Sequence, residues 1–169
     1  MPESLYSFTD VQKVSLKSGL YLVSTPIGNL RDITLRAIDT LAAADVVACE
    51  DTRVSGKLFQ AFGFKKKLIP YHDHNADTQR PHILQLIAEG KSVALISDAG
   101  MPLISDPGYK LVRDCLEQNV YVTSLPGANS PLMALQLSGL PSDNFTFLGF
   151  LPSKSKARKD VLEKWKAAQ

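Results

Sequence analysis

The fold is decided by the stretch Ile96-Ser-Asp-Ala-Gly-Met-Pro-Leu-Ile-Ser-Asp-Pro-Gly108, which joins an apolar run at 92–96 to a run with helical spacing at 107–118. Glycine permits positive φ and close backbone approach, whereas proline fixes φ and removes a hydrogen-bond donor. A loop with two glycines and two prolines after a buried strand is expected to have a defined conformation and not to serve only as a connection. In an open α/β sheet, ligands bind in the crevice beyond the carboxyl ends of the strands. The loop is therefore expected to form part of a binding site.

Short apolar runs alternate with helical patterns on both sides of this loop. Strands are predicted at 20–24, 46–49, 68–71, 92–96 and 120–124. Helices are predicted at 34–43, 55–62, 80–89, 107–118 and 132–137. Strands and helices that alternate through short links predict an α/β fold, a five-stranded, mostly parallel sheet with helices on both faces. Pro70 places the third strand at an edge, because proline cannot donate to a ladder on both sides.

Several residues predict where the helices begin and end. Asp32 is placed to cap the first helix, and Pro81 favours a start near Arg80, since proline suits a first turn better than an interior. Gly63, Gly90 and Asn119 are predicted stops. The helix at 107–118 is expected to present four residues to the core: Leu111, Val112, Cys115 and Leu116.

The chain is expected to contain one domain and the beginning of another. Residues 1–18 are polar and irregular and predict a flexible arm, and residues 19–140 form the N-terminal α/β domain. Residues 141–169 open with a strand pattern at 145–150, followed by a basic amphipathic helix at 153–169. One strand and one helix cannot bury a core of their own, so this last stretch is expected to be the beginning of a truncated C-terminal α/β domain.

Composition favours an ordinary globular protein of the cytoplasm. The chain has 169 residues, 44% hydrophobic and 21% charged, with a net charge of +2. Cys49 and Cys115 lack partners at metal spacing and are predicted to be free buried thiols, so no metal is expected. No apolar run approaches membrane-spanning length, and the first 18 residues lack a signal-peptide core. The basic segments, Lys65–Lys67 and the last helix, are either solvated faces or RNA-backbone contacts.

Four polar turns follow predicted strands and should meet at one edge of the sheet. They are Thr25–Asp32, Glu50–Arg53, Ser97–Gly108 and Pro126–Ser130. Each alone could be an ordinary turn, but four on one edge favour a shared site. The first turn lacks the G-x-G-x-x-G pattern, and no G-x-x-x-x-G-K-[ST] loop exists. A phosphate-cradling nucleotide site is therefore disfavoured, and the loops suit an uncharged or cationic ligand.

These motifs, together with Tyr71-His-Asp-His-Asn75, resemble those of the bacterial 16S rRNA (cytidine-2′-O)-methyltransferase family, within the tetrapyrrole-methylase class of S-adenosylmethionine enzymes. The resemblance runs from about Gly19 to the end of the chain. It implies a second domain longer than the residues available here, a homodimer, and 16S rRNA of the small ribosomal subunit as partner.

The resemblance also implies that S-adenosyl-L-methionine binds between the two domains. By its motifs, Asp98 matches the position near the ribose and amino-acid part of the cofactor, and Met101 lies in a segment that contacts it through the backbone. Pro26 lines the same cleft. Ala128 and Asn129 match the contact segment after the fifth strand.

A ribose hydroxyl is a weak nucleophile, so a base or a charge stabiliser should help the transfer. The candidates near the cleft are Asp51, Arg53, His72 and His74. Arg53 could bind an RNA phosphate with Asp51 orienting it, or the pair could simply tie the loop to the helix. His74 is either a base or a surface histidine, while His82, within a helix, is expected to be structural.

The expected function is S-adenosylmethionine-dependent methylation of a cytidine ribose 2′-hydroxyl in 16S rRNA. The alternatives are a methyltransferase of the same class acting on a tetrapyrrole-like small molecule, and a non-enzymatic RNA-binding or assembly module. The first alternative predicts a closed apolar pocket without salt-dependent RNA affinity, and the second predicts no cofactor binding.

Overall fold

A computed structural model describes residues 11–166 and places a five-stranded parallel sheet at the centre, in the order β3-β2-β4-β1-β5. The strands are β1 Gly19–Val23, β2 Val46–Cys49, β3 Leu68–Pro70, β4 Ser92–Ile96 and β5 Val122–Leu125. The helices are α1 Leu35–Ala43, α2 Thr52–Ala61, α3 Ala76–Ala88, α4 Tyr109–Glu117, α5 Ser130–Ser138 and α6 Ser155–Lys166. The predicted α/β fold class is confirmed, and Pro70 lies on the edge strand as expected.

The sheet is covered on both faces. On one face, α1 and α2 pack against the sheet through residues such as Ile38, Leu41 and Phe59. On the other, α3 and α4 contribute Ile83 and Leu111, among others. Because β2 and β4 are covered on both sides, they are buried along their whole length and are apolar apart from Ser92, which is why both are recognisable from sequence.

The connections diverge between β2 and β4. From β2 the chain passes through α2 on the first face to the edge strand β3, whereas from β4 it passes through α4 on the opposite face to β5. Neighbouring parallel strands whose connections leave toward opposite faces open a crevice at their carboxyl ends. The loops after β2 and β4 therefore border the natural binding crevice of this sheet.

Two helices begin differently from the prediction. Asp32 does not cap α1; it belongs to a short 3-10 turn, Leu30–Asp32, and the Thr34 hydroxyl accepts the hydrogen bond from the Ala37 N–H instead. Helix α2 begins at Thr52, three residues earlier than expected, because Asp51 caps it by accepting from the Arg53 N–H.

Helix α3 was also predicted too short, since Pro81 lies inside it. Proline has no N–H to donate, yet the turn before Pro81 is stabilised by other contacts. The Ala76 N–H donates to the His72 carbonyl at 2.8 Å, and Arg80 pairs with Asp77 and Asp114 at 2.8 and 2.7 Å. These contacts offset the loss of one helical hydrogen bond.

On α4 the predicted core set is partly wrong. Leu111 and Cys115 are fully buried, but Leu116 is 60% exposed, because it lies on the outer side of the helix. The two cysteines are free and buried, as predicted. Gly63, Gly90 and Asn119 all take positive φ just after their helices, so the predicted stops are confirmed.

The strand predicted at 145–150 is not formed in the described structure. A strand needs a neighbour to accept its ladder hydrogen bonds, and the edge strands of the sheet pair only inward, β3 with β2 and β5 with β1. The basic helix predicted after it is present as α6, as far as Lys166.

Residues 11–18 run along the domain, where Val11 and Leu16 pack against the core and the Gln12 N–H donates to Asp39 at 2.8 Å. The rest of the predicted arm, residues 1–10, lies outside the described residues. Between residues 11 and 166, none of the helices has the length and apolar character needed to cross a membrane.

Candidate functional site

The loops after β1 and β4 are joined directly at the carboxyl edge of the sheet. Thr25 and Gly100 form an antiparallel bridge, with N···O distances of 2.9 and 3.1 Å. The Thr25 hydroxyl donates to the Ser97 carbonyl at 3.1 Å, and the Ser97 hydroxyl donates to the Gly100 carbonyl at 3.0 Å. All three residues are buried. The two loops therefore behave as one rigid wall.

The loops after β2 and β4 meet where the connections diverge. The backbone N–H of Asp51 donates to Oδ1 of Asp98 at 3.1 Å, and Asp98 is only half-buried. A charged acceptor strengthens such a bond and fixes the carboxylate in place. Asp98, predicted from sequence to bind the cofactor, thus lies at the centre of the crevice with its orientation set by β2.

Asp51 and Arg53 form a close ion pair. Such a pair was expected from sequence, either to orient Arg53 toward an RNA phosphate or simply to tie the loop to the helix. Arg53 Nη2 lies 2.6 Å from Asp51 Oδ2, and Nε lies 3.0 Å from Oδ1. The hydrogen bonds from Arg53 lower the pKa of the Asp51 carboxyl to about 2. A carboxylate so acidic is a poor proton acceptor. The Arg53 guanidinium is 86% exposed, so it is free to meet an anion on its outer side.

The backbone of the long loop after β4 has an uncommon conformation. Leu103 and Ser105 take φ values of 72° and 62°, a region that non-glycine residues rarely adopt. Gly108 has φ 135°, and a Cβ there would lie 2.9 Å from Leu95 Cδ2. Such strain persists only where the surroundings enforce it, and it is concentrated at binding sites.

The loop after β5 closes against the same wall. A Cβ on Gly127 would lie 2.6 Å from the Ser24 Cβ, so only glycine allows this approach. The Asn129 side chain caps α5 by accepting from the Leu132 N–H, and its amide donates to the Met101 sulfur at 3.0 Å. The structure thus brings Met101 and Asn129 together. The Ala128 carbonyl lies beside Gly100.

The histidines lie after the edge strand β3. The His74 ring is exposed and meets the His72 ring edge-on, with centroids 6.0 Å apart. The His72 Nδ1 atom is buried and has no hydrogen-bond partner among the described residues. His82 is exposed on α3.

Two acidic residues at this edge were missed by the sequence reasoning. Partial burial raises the pKa of the Glu50 carboxyl, although the side chain reaches solvent, and the charges of Asp98, Asp106 and Asp73 raise it further. Burial likewise raises the pKa of Asp106, with Asp98 and Asp73 adding to the effect. The signal was present, because Glu50 adjoins Asp51 and Asp106 belongs to the same loop motif as Asp98 and Met101. The edge therefore carries a negative potential that suits a cation.

A cavity of about 390 Å³ opens beside Asp98, between the first turn and α2. The residues around it are Thr25, Pro26, Gly28, Asn29, Leu30, Val54, Ser55, Lys57, Leu58, Ser97 and Asp98. Pro26, predicted from sequence to line the cleft, forms part of this cavity. Its size falls within the usual range for small-molecule sites.

The fold defines a doubly wound α/β domain, with a candidate cleft at the divergence between β2 and β4. Comparison with known proteins makes this more specific. A family model described as tetrapyrrole (corrin/porphyrin) methylases matches residues 19–169. The chain belongs to that family.

The similar curated proteins share one name. Ribosomal RNA small subunit methyltransferase I from Mesorhizobium japonicum is 54% identical over 159 residues, covering 94% of this chain and 54% of the relative. The proteins of that name from Rickettsia prowazekii and Escherichia coli O157:H7 are 56% and 52% identical, covering 86% and 85% of this chain and 52% and 50% of the relatives. The resemblance deduced from the motifs is confirmed. The chain spans about half the length of these relatives.

Solved structures agree on the fold. Uroporphyrin-III-C-methyltransferase from Thermus thermophilus matches with a TM-score of 0.56 at 27% identity, over 73% of this chain and 53% of that one. Cobalt precorrin-4 methyltransferase, a cobalamin biosynthetic enzyme, matches with a TM-score of 0.53 at 21% identity, over 70% of this chain and 49% of that one. At that identity the second match supports the fold alone.

Proposed function

We propose that the protein is an S-adenosylmethionine-dependent methyltransferase acting on the ribose 2′-hydroxyl of a cytidine in 16S rRNA of the small ribosomal subunit. The observation that carries the proposal is the convergence of the motif-bearing loops on one crevice, with Asp51 and Asp98 bonded across it. Relatives that are 50–56% identical are named for small-subunit rRNA methylation, which supports rRNA over a tetrapyrrole as substrate. A cytoplasmic homodimer is part of the proposal.

The residues at the crevice suit the proposed cofactor. S-adenosylmethionine supplies an activated methyl group on a positively charged sulfur. Asp98, Glu50 and Asp106 provide negative potential for a cation. Asp98, Met101, Ala128, Asn129 and Pro26 are proposed to hold the cofactor.

Catalysis then depends mainly on alignment, since the methyl group is already activated. Arg53 is proposed to bind an RNA phosphate, with Asp51 fixing the guanidinium by its two hydrogen bonds. Asp51 itself does not serve as the base, because its pKa is about 2. Glu50, whose pKa is raised, and His74 are the proposed proton acceptors.

The experiment is a transfer assay with labelled S-adenosylmethionine, the purified protein, and either assembled 30S subunits or free 16S rRNA. We expect label on a 2′-oxygen of a cytidine, and Arg53→Ala should raise KM for the RNA about tenfold, in line with loss of a charged contact. Label on a base would contradict the ribose assignment. No transfer to either substrate would contradict the proposal as a whole.

A further inference from the structure

Helix α2 and the segment that leads into β3 carry positive charge without any carboxylate. Between Thr52 and His72 the sequence has no Asp or Glu, whereas its basic residues are Arg53, Lys57 and Lys65–Lys67. The net charge of the whole chain is only +2, so the rest of the chain is net negative. A local concentration of positive charge attracts phosphate even when the total charge is near zero.

The exposed side of α2 places its polar residues in a line. Arg53, Lys57 and Gln60 stand four and three residues apart, so they lie on one face of the helix, spread over about 10 Å along its axis. All three are exposed. Gln60 and Lys65 border the same hollow of about 550 Å³, between α2 and the segment before β3. The line therefore continues from the crevice, where Arg53 lies, to the lysines at 65–67.

The backbone that carries these lysines is fixed at both ends. The Val47 N–H donates to the Lys67 carbonyl at 3.0 Å, which extends the pairing of β2 and β3 by one residue. Phe64 is buried, and its ring packs against the ring of Phe59 with centroids 5.1 Å apart. The lysines between these two anchors are therefore presented from a defined position.

The three lysines have different surroundings. Lys66 is partly buried and donates to the Ala44 carbonyl, at the C-terminal end of α1, at 2.8 Å. A cation is stabilising there, because the last carbonyls of a helix lack partners within it, so the fold itself uses Lys66. Its neighbours Lys65 and Lys67 are exposed, and their side chains make no hydrogen bond or ion pair with the residues that the structure describes.

The opposite face of the sheet neutralises its cations internally. Every lysine and arginine of α3 and α4 forms an ion pair with a carboxylate, namely Arg80, Lys110 and Arg113. By contrast, Lys57, Lys65 and Lys67 have no carboxylate in ion-pair contact within residues 11–166. A row of ammonium groups that the protein leaves unpaired suits a polyanion.

We propose that this α2 basic surface, made of Arg53, Lys57, Lys65 and Lys67, binds the phosphate backbone of the rRNA substrate and holds it along α2 up to the crevice. The inference rests on the proposed function and adds three lysines to its RNA contacts. Lysine suits this task, because its flexible ammonium meets a phosphate as a point charge without the fixed geometry of arginine. Such contacts position a nucleic acid without reading its sequence.

The test measures affinity for a fluorescent 16S rRNA hairpin by anisotropy at several salt concentrations. The double variant Lys65→Gln, Lys67→Gln should bind about tenfold more weakly, with a salt slope smaller by roughly 1.5, as expected for two lost phosphate contacts. Lys57→Gln should bind about threefold more weakly, with about half that change in slope. The matched control is Lys110→Gln, Arg113→Gln, which removes two charges from the opposite face and should leave both quantities nearly unchanged.

Methyl transfer provides a second readout. The Lys65→Gln, Lys67→Gln variant should raise KM for 16S rRNA about tenfold while kcat changes less than twofold. Its affinity for S-adenosylmethionine, measured by calorimetry, and its melting temperature should match those of the unsubstituted protein, because both side chains are exposed and lie outside the crevice. RNA affinity and KM that stay unchanged in this variant would overturn the inference. An equal loss in the α4 control would also overturn it, since only net charge would then matter.

Failure of this inference and failure of the proposed function give different results. If the unsubstituted protein transfers no methyl group to rRNA, while RNA affinity falls in the Lys65→Gln, Lys67→Gln variant and not in the control, the α2 basic surface stands and the methylation proposal fails. If transfer occurs with the same KM in both proteins, only the surface is wrong. If the variant loses affinity for 30S subunits but not for free RNA, the surface contacts an acidic ribosomal protein and the inference is overturned.

Discussion

At the scale of single residues, Asp98 and Glu50 show how the same sheet edge gives carboxylates different properties. Asp98 accepts a hydrogen bond from the Asp51 N–H and is held in one orientation. Glu50 is next to Asp51 in sequence, yet its pKa is raised by partial burial and by neighbouring negative charges. Their chemistry follows from the loops that surround them, and each leads to a separate prediction.

Asp98→Ala should weaken S-adenosylmethionine binding about tenfold, because a hydrogen bond to a charged group contributes about 1.5–3 kcal/mol. Asp98→Asn should lose part of this, since the amide oxygen can still accept from the Asp51 N–H. Isothermal titration calorimetry measures both. Glu89→Ala, an exposed carboxylate beyond α3, is the control. Unchanged affinity in Asp98→Ala would remove Asp98 from the cofactor site.

Glu50→Gln should raise the melting temperature at pH 7. A carboxyl whose pKa is raised by folding favours the folded state when protonated, and that advantage is lost as pH rises through the folded pKa. The glutamine keeps the neutral form at every pH. The difference between the two proteins should therefore vanish below the ordinary pKa of 4.5, grow as pH rises from there to the raised folded pKa, and stay constant above it. Melting curves from pH 4 to 8 measure it, and a pH-independent difference would contradict the argument.

At the scale of elements, the starts of the helices are decided by short side-chain bonds that are hard to rank from sequence. Asp32 and Thr34 are both good N-cap residues, and they stand two positions apart. The structure selects Thr34, whose hydroxyl accepts from the Ala37 N–H at 3.1 Å. Asp32 belongs instead to the 3-10 turn that Asn29 caps.

Thr34→Ala should lower the free energy of unfolding by about 1 kcal/mol, the usual cost of losing an N-cap. Asp32→Ala is the matched control and should change it by less than about 0.5 kcal/mol, as exposed substitutions generally do. Chemical denaturation followed by circular dichroism provides both values. A larger effect at Asp32 than at Thr34 would show that the first helix is capped as the sequence suggests.

The elements predicted well are those whose burial is set by the sheet itself. β2 and β4 lie in its interior and are apolar apart from Ser92, so both were recognisable from sequence. Pro81 misled the prediction of where α3 starts, because Arg80 stabilises the preceding turn by pairing with Asp114, which is distant in sequence. The strand predicted at 145–150 is not formed, because a strand needs a neighbouring strand to pair with. The sequence of the segment alone does not show whether such a neighbour exists.

For the site, the sequence predicted which loops would converge but not how they are bonded. The loops that converge carry four of the residues selected from sequence: Pro26, Asp98, Met101 and Asn129. The bond between the Asp51 N–H and Asp98 depends on the register between β2 and β4, with Cys49 opposite Ile96.

At the scale of the whole molecule, α5 and the segment after it expose large apolar side chains. Leu137 and Phe150 are each 87% exposed. Others in this region are Leu132, Met133, Leu140, Phe145, Phe147, Leu148 and Leu151. Apolar patches of this kind promote association with other surfaces.

The double variant Leu137→Lys, Phe150→Lys should reduce binding of the dye ANS severalfold and reduce light scattering at high concentration. Its melting temperature should stay within about 2 °C of the original, because neither side chain is buried. Leu116→Lys, on the exposed side of α4, is the control and should change dye binding less. A marked loss of stability in the double variant would mean that these residues are packed in solution.

The position of β1 inside the sheet, between β4 and β5, sets the order in which the sheet can be assembled. Of the five strands of this sheet, β1 is synthesised first but pairs with the two that are synthesised last, β4 and β5. The Thr25 hydroxyl reaches the Ser97 carbonyl across 72 residues of chain. Contacts so distant in sequence slow folding, since the intervening loop must close before they are gained. Until then β1 stays unpaired on the nascent chain, where its open backbone invites chaperones or misassociation.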